Sequence, residues 1–281
     1  MSDECIHGFV DGLCATCNPK PVPEGLKPAA RPTTRSRTAT APRATVRSLR
    51  DAARVPSATA TLNVLEQRIY HLTHIRNLPS ILSERALLGS TEPEVGLSDA
   101  AMREERAVVT VPGVTIPGTD GFPGHEASLS TYVPFFLSPD APQWRSVRDR
   151  DEHPRVAKAA RVWDPADFVF LVSTVRDVVG SELPFVVADG NAEGAATRFA
   201  SARDDAERML RRLHTDHEGA GLLEAELLVP DRFPLEAVTL IGVCNDKVRA
   251  AVREVIAGSV AGAAGFAPKV AVYPPWFISD L

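Results

Sequence analysis

Residues 69–90 read IYHLTHIRNLPSILSERALLGS. The first half alternates in the manner of a strand. Its polar places hold His71, Thr73 and His74. The second half repeats apolar residues at helical spacing, and Pro79 falls inside the first helical turn, where its missing N–H costs nothing. Two imidazoles and a hydroxyl on a short strand that turns straight into a helix at Arg76-Asn77-Leu78-Pro79 pose a choice. They face a ligand, or one of the histidines is a satisfied member of the core.

The segments around this unit read as mixed. TYVPFFLSP, DFVFLVSTV, PFVVADGNA, LLEAELLVP, EAVTLIGVCN and KVAVYPPWFI are strand-like. NLPSILSERAL, the 203–214 stretch and DKVRAAVREVIAG are helical, and LSDAAMREERAVVTV is a short helix running into an extended segment. VTIPGTDGFPGHEASLS is a Gly/Pro-rich loop. Strands outnumber long helices and do not alternate with them regularly, which predicts an α+β fold rather than a doubly wound sheet.

The chain has 281 residues, 44% hydrophobic, enough to bury a sizeable core. No stretch approaches the ~20 apolar residues that span a bilayer, and the N-terminus lacks the order of a signal peptide. The expectation is a soluble cytoplasmic protein with no membrane partner. Charge is unevenly placed. Residues 1–18 carry −3, and residues 19–60 carry nine Lys or Arg against Glu24 and Asp51, a net of +7. The total of −5 then leaves −9 on residues 61–281. This predicts three parts: a Cys/His cluster over 1–18, a basic, proline-rich disordered linker over 19–60 and a globular body over 61–281.

In CIHGFVDGLCATC, Cys5, His7, Cys14 and Cys17 form a CxH and a CxxC pair. Such pairs can close a tetrahedral zinc site whose metal supplies the folding energy of a knuckle too small for a core. The alternative is a tail with incidental cysteines. Cys244, in the apolar LIGVCNDK, reads as a buried thiol.

Glu226 lies in LLEAELLVP. As a strand this segment puts Leu222, Glu224, Glu226 and Leu228 on one face and only apolar residues on the other. Two carboxylates on a strand either face solvent or, beside a cleft, hold a sugar hydroxyl and stabilise a cationic transition state. Arg103 and Arg106 sit in AMREERAVV, as a solvated helix surface or as anion contacts. Asp189-Gly190-Asn191 is a turn signal. Arg208, Arg211 and Arg212 meet phosphates or solvent. No P-loop, dinucleotide fingerprint, HExxH or GxSxG is present.

YHLTHIRNLPSIL, REERAVVTVP, YVPFFLSP, VVADGNA followed by TRF, EAELLVPDRFPLE and VYPPWF occur in this order between about Arg68 and Ile278. Together they resemble DarT, the bacterial toxin family that ADP-ribosylates single-stranded DNA with NAD⁺. The resemblance implies an ADP-ribosyltransferase fold, a split, mostly antiparallel sheet with flanking helices and NAD⁺ in its cleft. It implies Glu226 as the catalytic glutamate, Arg106 (with Arg103 as rival) as the arginine at the target base, and Tyr132 in the cleft. His71 and Thr73 would contact the nicotinamide and its ribose, with His74 and Asn77 at the helix start, whose N–H groups can meet a pyrophosphate. It further implies thymine as the base, a toxin or anti-phage role, a macrodomain antitoxin, and no metal in the chemistry. The family's HDYVPFYF reads LSTYVPFFL here, so the target surface differs. Guanine, RNA or protein as acceptor stays open, as does a non-enzymatic zinc-containing nucleic-acid-binding regulator.

Overall fold

The computed structural model describes residues 63–89, 94–112, 127–216 and 220–278. The Cys5, His7, Cys14 and Cys17 set, the basic linker and most of the Gly/Pro-rich loop lie outside the described residues.

The strands are β1 (Arg68–His74), β2 (Ala86–Leu88), β3 (Thr110–Val111), β4 (Ala127–Ser128), β5 (Tyr132–Phe136), β6 (Phe168–Thr174), β7 (Val186–Ala188), β8 (Phe199–Ala200), β9 (Glu226–Pro230), β10 (Arg232–Pro234), β11 (Leu240–Val243) and β12 (Lys269–Val272). The helices are α1 (Leu78–Glu84), α2 (Ala100–Val108), α3 (Pro142–Asp149), α4 (Val175–Gly180), α5 (Arg203–Thr215), α6 (Gly221–Glu224), α7 (Asp246–Ala257) and α8 (Val260–Ala263). Eight strands of the described residues form one sheet in the order β12-β11-β6-β1-β5-β9-β7-β8. Every pairing in it is antiparallel except β11 with β12. The expected α+β class with a mostly antiparallel sheet and flanking helices is what the chain forms.

Both faces of the sheet are covered, which explains the continuous apolar run of β6. One face packs Ile69, Phe135, Leu171 and Leu227 against α1, α5 and α7. Those helices present apolar residues at three- and four-residue spacing: Ala206, Leu210 and Leu213 on α5, and Val248, Val252 and Ile256 on α7. The other face is an aromatic layer. Phe170 meets Tyr70, Trp144, Trp276 and Phe277 at ring-centroid distances of 5.6–6.0 Å. Truncating Phe170 to Ala would cost about 3–5 kcal/mol. Gly242 is required here, because a Cβ would run into the Trp276 ring.

Pro134 splits the sheet. β1 pairs with β6 along its whole length, but its register with β5 among the described residues is Tyr70↔Phe136. Pro134 has no N–H to give a neighbour, and its carbonyl accepts from the His71 side chain at 2.9 Å instead of from a β1 amide. The two strands therefore part beside His71, and a cavity opens there.

The expected strand over 222–229 needs correction. Residues 221–224 form the helical turn α6, and the strand starts at Glu226. Leu222 packs back onto the core beneath the sheet, which a strand continuing through Glu224 would not allow. Glu224 is thus not a second carboxylate on the strand. The 203–214 arginines are engaged within the chain: along the helix Arg208 pairs with Asp205 and Arg211 with Glu207 at 3.0 Å, and Arg212 reaches Asp189 after β7 at 3.0 Å.

Candidate active site

On β1, alternation sends His71 and Thr73 one way and His74 the other. The His71 Nδ1–H donates to the Pro134 carbonyl. A carbonyl only accepts, so the neutral ring keeps Nε2 as an acceptor. Burial holds the His71 pKa below its usual value, the Pro134 bond opposing in part. Thr73 Oγ1 accepts from Asn77 Nδ2 at 2.9 Å, leaving its own proton to donate. Asn77 also gives Nδ2–H to the Val95 carbonyl at 2.8 Å and accepts the Val95 N–H at 3.1 Å. Its amide ties the 94–98 loop and Thr73 of β1 to the start of α1.

His74 has a different place. Its Nδ1 accepts from the Arg76 N–H at 3.2 Å, and its ring packs against Trp163 and Phe168 at 5.1 Å each. It caps the turn into α1 and does not line the cavity. Arg76 lies over Trp163 at 4.9 Å and does line it.

Across the split stands Glu226, the first residue of β9, between Phe136 of β5 and Ala188 of β7. It is 4% exposed. Burial pushes its pKa up to about 7, while Arg106 and Arg155 lower it, Glu193 raises it and the Ala192 N–H holds its charged form. Arg106 comes from α2, whose start is fixed by Asp99 accepting the Met102 N–H at 3.0 Å. Arg103 and Arg106, three residues apart, share a side of α2 and both line the cavity. Arg103 Nη1 donates to the Ser98 carbonyl at 3.0 Å, whereas Arg106 Nη1 donates to Glu193 Oε1 at 3.0 Å. Arg106 is thereby tied to Glu193, whose charge also bears on Glu226.

Tyr132, at the start of β5, is 1% exposed, and its hydroxyl has no hydrogen-bond partner among the described residues. Burial pushes its pKa up to about 12. An orphan hydroxyl costs about 1–3 kcal/mol unless a ligand meets it.

The cavity measures about 650 Å³, within the range for organic ligands of ~300–1,000 Å³. His71, Thr73, Asn77, Tyr132, Arg106 and Glu226 come together in its wall. Sequence reasoning missed Arg155 and Glu193, which line it too. The VVADGNA turn had marked the place two residues before Glu193, but nothing in the local pattern marked Arg155.

A split, mostly antiparallel sheet with a buried glutamate at the head of a cleft strand defines the ADP-ribosyltransferase class of fold. Within that class the chain belongs to the DarT family: the family model described as ssDNA thymidine ADP-ribosyltransferase, DarT, matches residues 70–278. A DNA ADP-ribosyl transferase of Thermus aquaticus is 27% identical over 195 residues, 67% of this chain and 80% of that relative. The fold is similar to Thermus sp. 2.9 DarT, solved with ADP-ribosylated ssDNA (TM-score 0.59, 23% identity, 75% of this chain and 96% of that one) and with NAD⁺ (TM-score 0.56, 23% identity, 75% and 98%). It is also similar to Thermosipho africanus DarTG in complex with ADP-ribose (TM-score 0.52, 16% identity, 75% and 51%).

Proposed function

We propose that this protein transfers ADP-ribose from NAD⁺ to thymine in single-stranded DNA. The observation that carries the reading is Glu226, buried in the cavity wall within electrostatic reach of Arg106, in a chain of this family. NAD⁺ supplies an activated ribose whose C–N bond to nicotinamide breaks as positive charge develops on the sugar. Glu226, itself buried in the cavity wall, once ionised accepts a ribose hydroxyl and stabilises that charge. His71 and Thr73 hold the nicotinamide end, with Nε2 as acceptor and the threonine hydroxyl as donor. Tyr132 supplies its unmet hydroxyl. Arg106 meets the acceptor base and favours loss of its ring proton. Asn77 contributes by holding the loop that roofs this side, and His74 by capping the turn beneath it.

The reading extends to a toxin or anti-phage effector restrained by a macrodomain antitoxin that removes the mark. The likeness to DarTG in complex with ADP-ribose supports this. No helix of the described residues is long and apolar enough to cross a membrane. Cys5, His7, Cys14 and Cys17 are proposed to hold one structural zinc, read by metal analysis of the full chain against one beginning at Thr61. Equal metal content in the two would reject that assignment.

Incubation with NAD⁺ and homopolymeric DNA and RNA, read by mass, tests the function. An adduct on oligo-dT is expected. Transfer to guanine, to RNA or to protein alone would move the reading to another acceptor.

A further inference from the structure

The β7–β8 turn reaches two sides of the site. The Ala192 N–H favours the charged form of Glu226. One residue on, Glu193 Oε1 accepts from Arg106 Nη1 at 3.0 Å, and Glu193 Oε2 lies 3.7 Å from Arg155 Nε. The three charged residues come from separate places: α2, the stretch after α3 and this turn. We propose that Glu193 is a positioning residue for transfer, holding Arg106 and Arg155 on its two carboxylate oxygens beside Glu226. The proposal rests on the transferase reading above and adds a residue to it.

The turn is built to hold Glu193 still. Asn191 Oδ1 accepts the Glu193 N–H at 2.9 Å, and the Asn191 carbonyl accepts the Gly194 N–H at 2.8 Å and the Thr197 hydroxyl at 2.6 Å. The same turn thereby holds Arg106 through the Glu193 carboxylate and presents the Ala192 N–H to Glu226. A plain surface ion pair is worth about 0–1 kcal/mol and does not explain the arrangement. The three side chains are only 21–29% exposed, and Arg155 leaves Nη1 buried with no partner among the described residues. Stability alone does not favour an orphaned guanidinium nitrogen in a cavity wall.

The cluster also balances charge. Glu226 is faced by Arg106 from α2, by Arg155, and by Glu193 and the Ala192 amide from the turn. His153, beside Arg155, feels Glu193 and Glu224 as well. With Glu226 ionised, two carboxylates match two guanidiniums. Removing the Glu193 charge takes a like charge away from Glu226 and eases its ionisation.

The test compares Glu193→Gln and Glu193→Asp with wild type in the full chain, measuring transfer to single-stranded DNA, NAD⁺ hydrolysis without DNA and the pH dependence of both. Glu193→Gln should lower kcat for transfer about ten-fold or more. It should lower hydrolysis less, move KM for NAD⁺ less than kcat, and shift the acid limb to lower pH. Glu193→Asp keeps the charge but is one methylene short. It should keep the acid limb in place while losing transfer. Wild-type transfer and an unmoved acid limb in Glu193→Gln would overturn the proposal. So would an equal loss of transfer and hydrolysis with an unmoved limb, the mark of a merely structural residue. Failure of wild type to transfer at all would instead refute the underlying reading.

Discussion

Glu226→Gln should stabilise the protein, and should do so only where the wild-type carboxyl is charged. Burial pushes the folded pKa up to about 7 from 4.5. A raised folded pKa means that the folded chain holds the proton more tightly than the unfolded one. The stability that protonation supplies is fully present below about pH 4.5 and is lost as pH rises through about 7. A gap of roughly 2.5 units at 1.36 kcal/mol each comes to about 3 kcal/mol. The variant has no such loss. Its advantage over wild type should therefore be about 3 kcal/mol larger at pH 8.5 than at pH 4.5, or about 6–12 °C in Tm for a body of this size. Parallel thermal melts of both chains at the two pH values, without NAD⁺, measure this. The difference between the differences cancels every titration the chains share. A double difference near zero, or of opposite sign, would refute the view that Glu226 is a buried carboxylate held against its charge. On the proposed role of Glu226 in stabilising the developing cation, wild-type transfer should rise along an acid limb near pH 7, and the variant should be inactive throughout.

Tyr132→Phe should leave Tm unchanged or slightly raised, since it removes a buried hydroxyl without a partner, and should raise KM for NAD⁺ several-fold. A fall in Tm with normal kinetics would mean that the hydroxyl has a structural partner. Asn77→Ala removes three hydrogen bonds, each worth about 1 kcal/mol. It should lower stability by about 2–3 kcal/mol in urea unfolding and weaken NAD⁺ binding as the 94–98 loop loses its anchor. Deleting residues 19–60 should flatten the slope of log affinity for single-stranded DNA against log salt by about 0.7 per lost phosphate contact. The base modified should not change, because phosphate contacts position and base contacts specify. An unchanged slope would make the arm a passive tether.

Much of the fold was legible because β5, β6 and β9 carry apolar runs of strand length, β1 alternates, and α5 and α7 carry helical spacing. LLEAELL misled because alternation of two leucines and a glutamate suits a strand and a helical turn equally, and packing of Leu222 onto the core decided between them. The separation of His71 from His74 was legible and passed over: residues three apart on a strand fall on opposite faces. Pro134, in the middle of a strand pattern, was likewise a signal that the sheet parts there. Arg155 had no such signal, and Glu193 only the turn two residues before it. Their meaning arises where the β7–β8 turn meets the stretch after α3, a contact between distant segments that no local pattern encodes.

The cavity holding Glu226 and Arg106 is proposed to transfer ADP-ribose to a thymine base. The most direct test is one single-stranded oligonucleotide containing one thymine, incubated with NAD⁺ and wild type, Glu226→Gln or Arg106→Ala, then fragmented in the mass spectrometer. One ADP-ribosyl group is expected on the thymine with wild type, none with Glu226→Gln, and with Arg106→Ala a loss of transfer greater than the loss of NAD⁺ hydrolysis. An adduct on another base, or an undiminished adduct with soluble, folded Glu226→Gln, would contradict it.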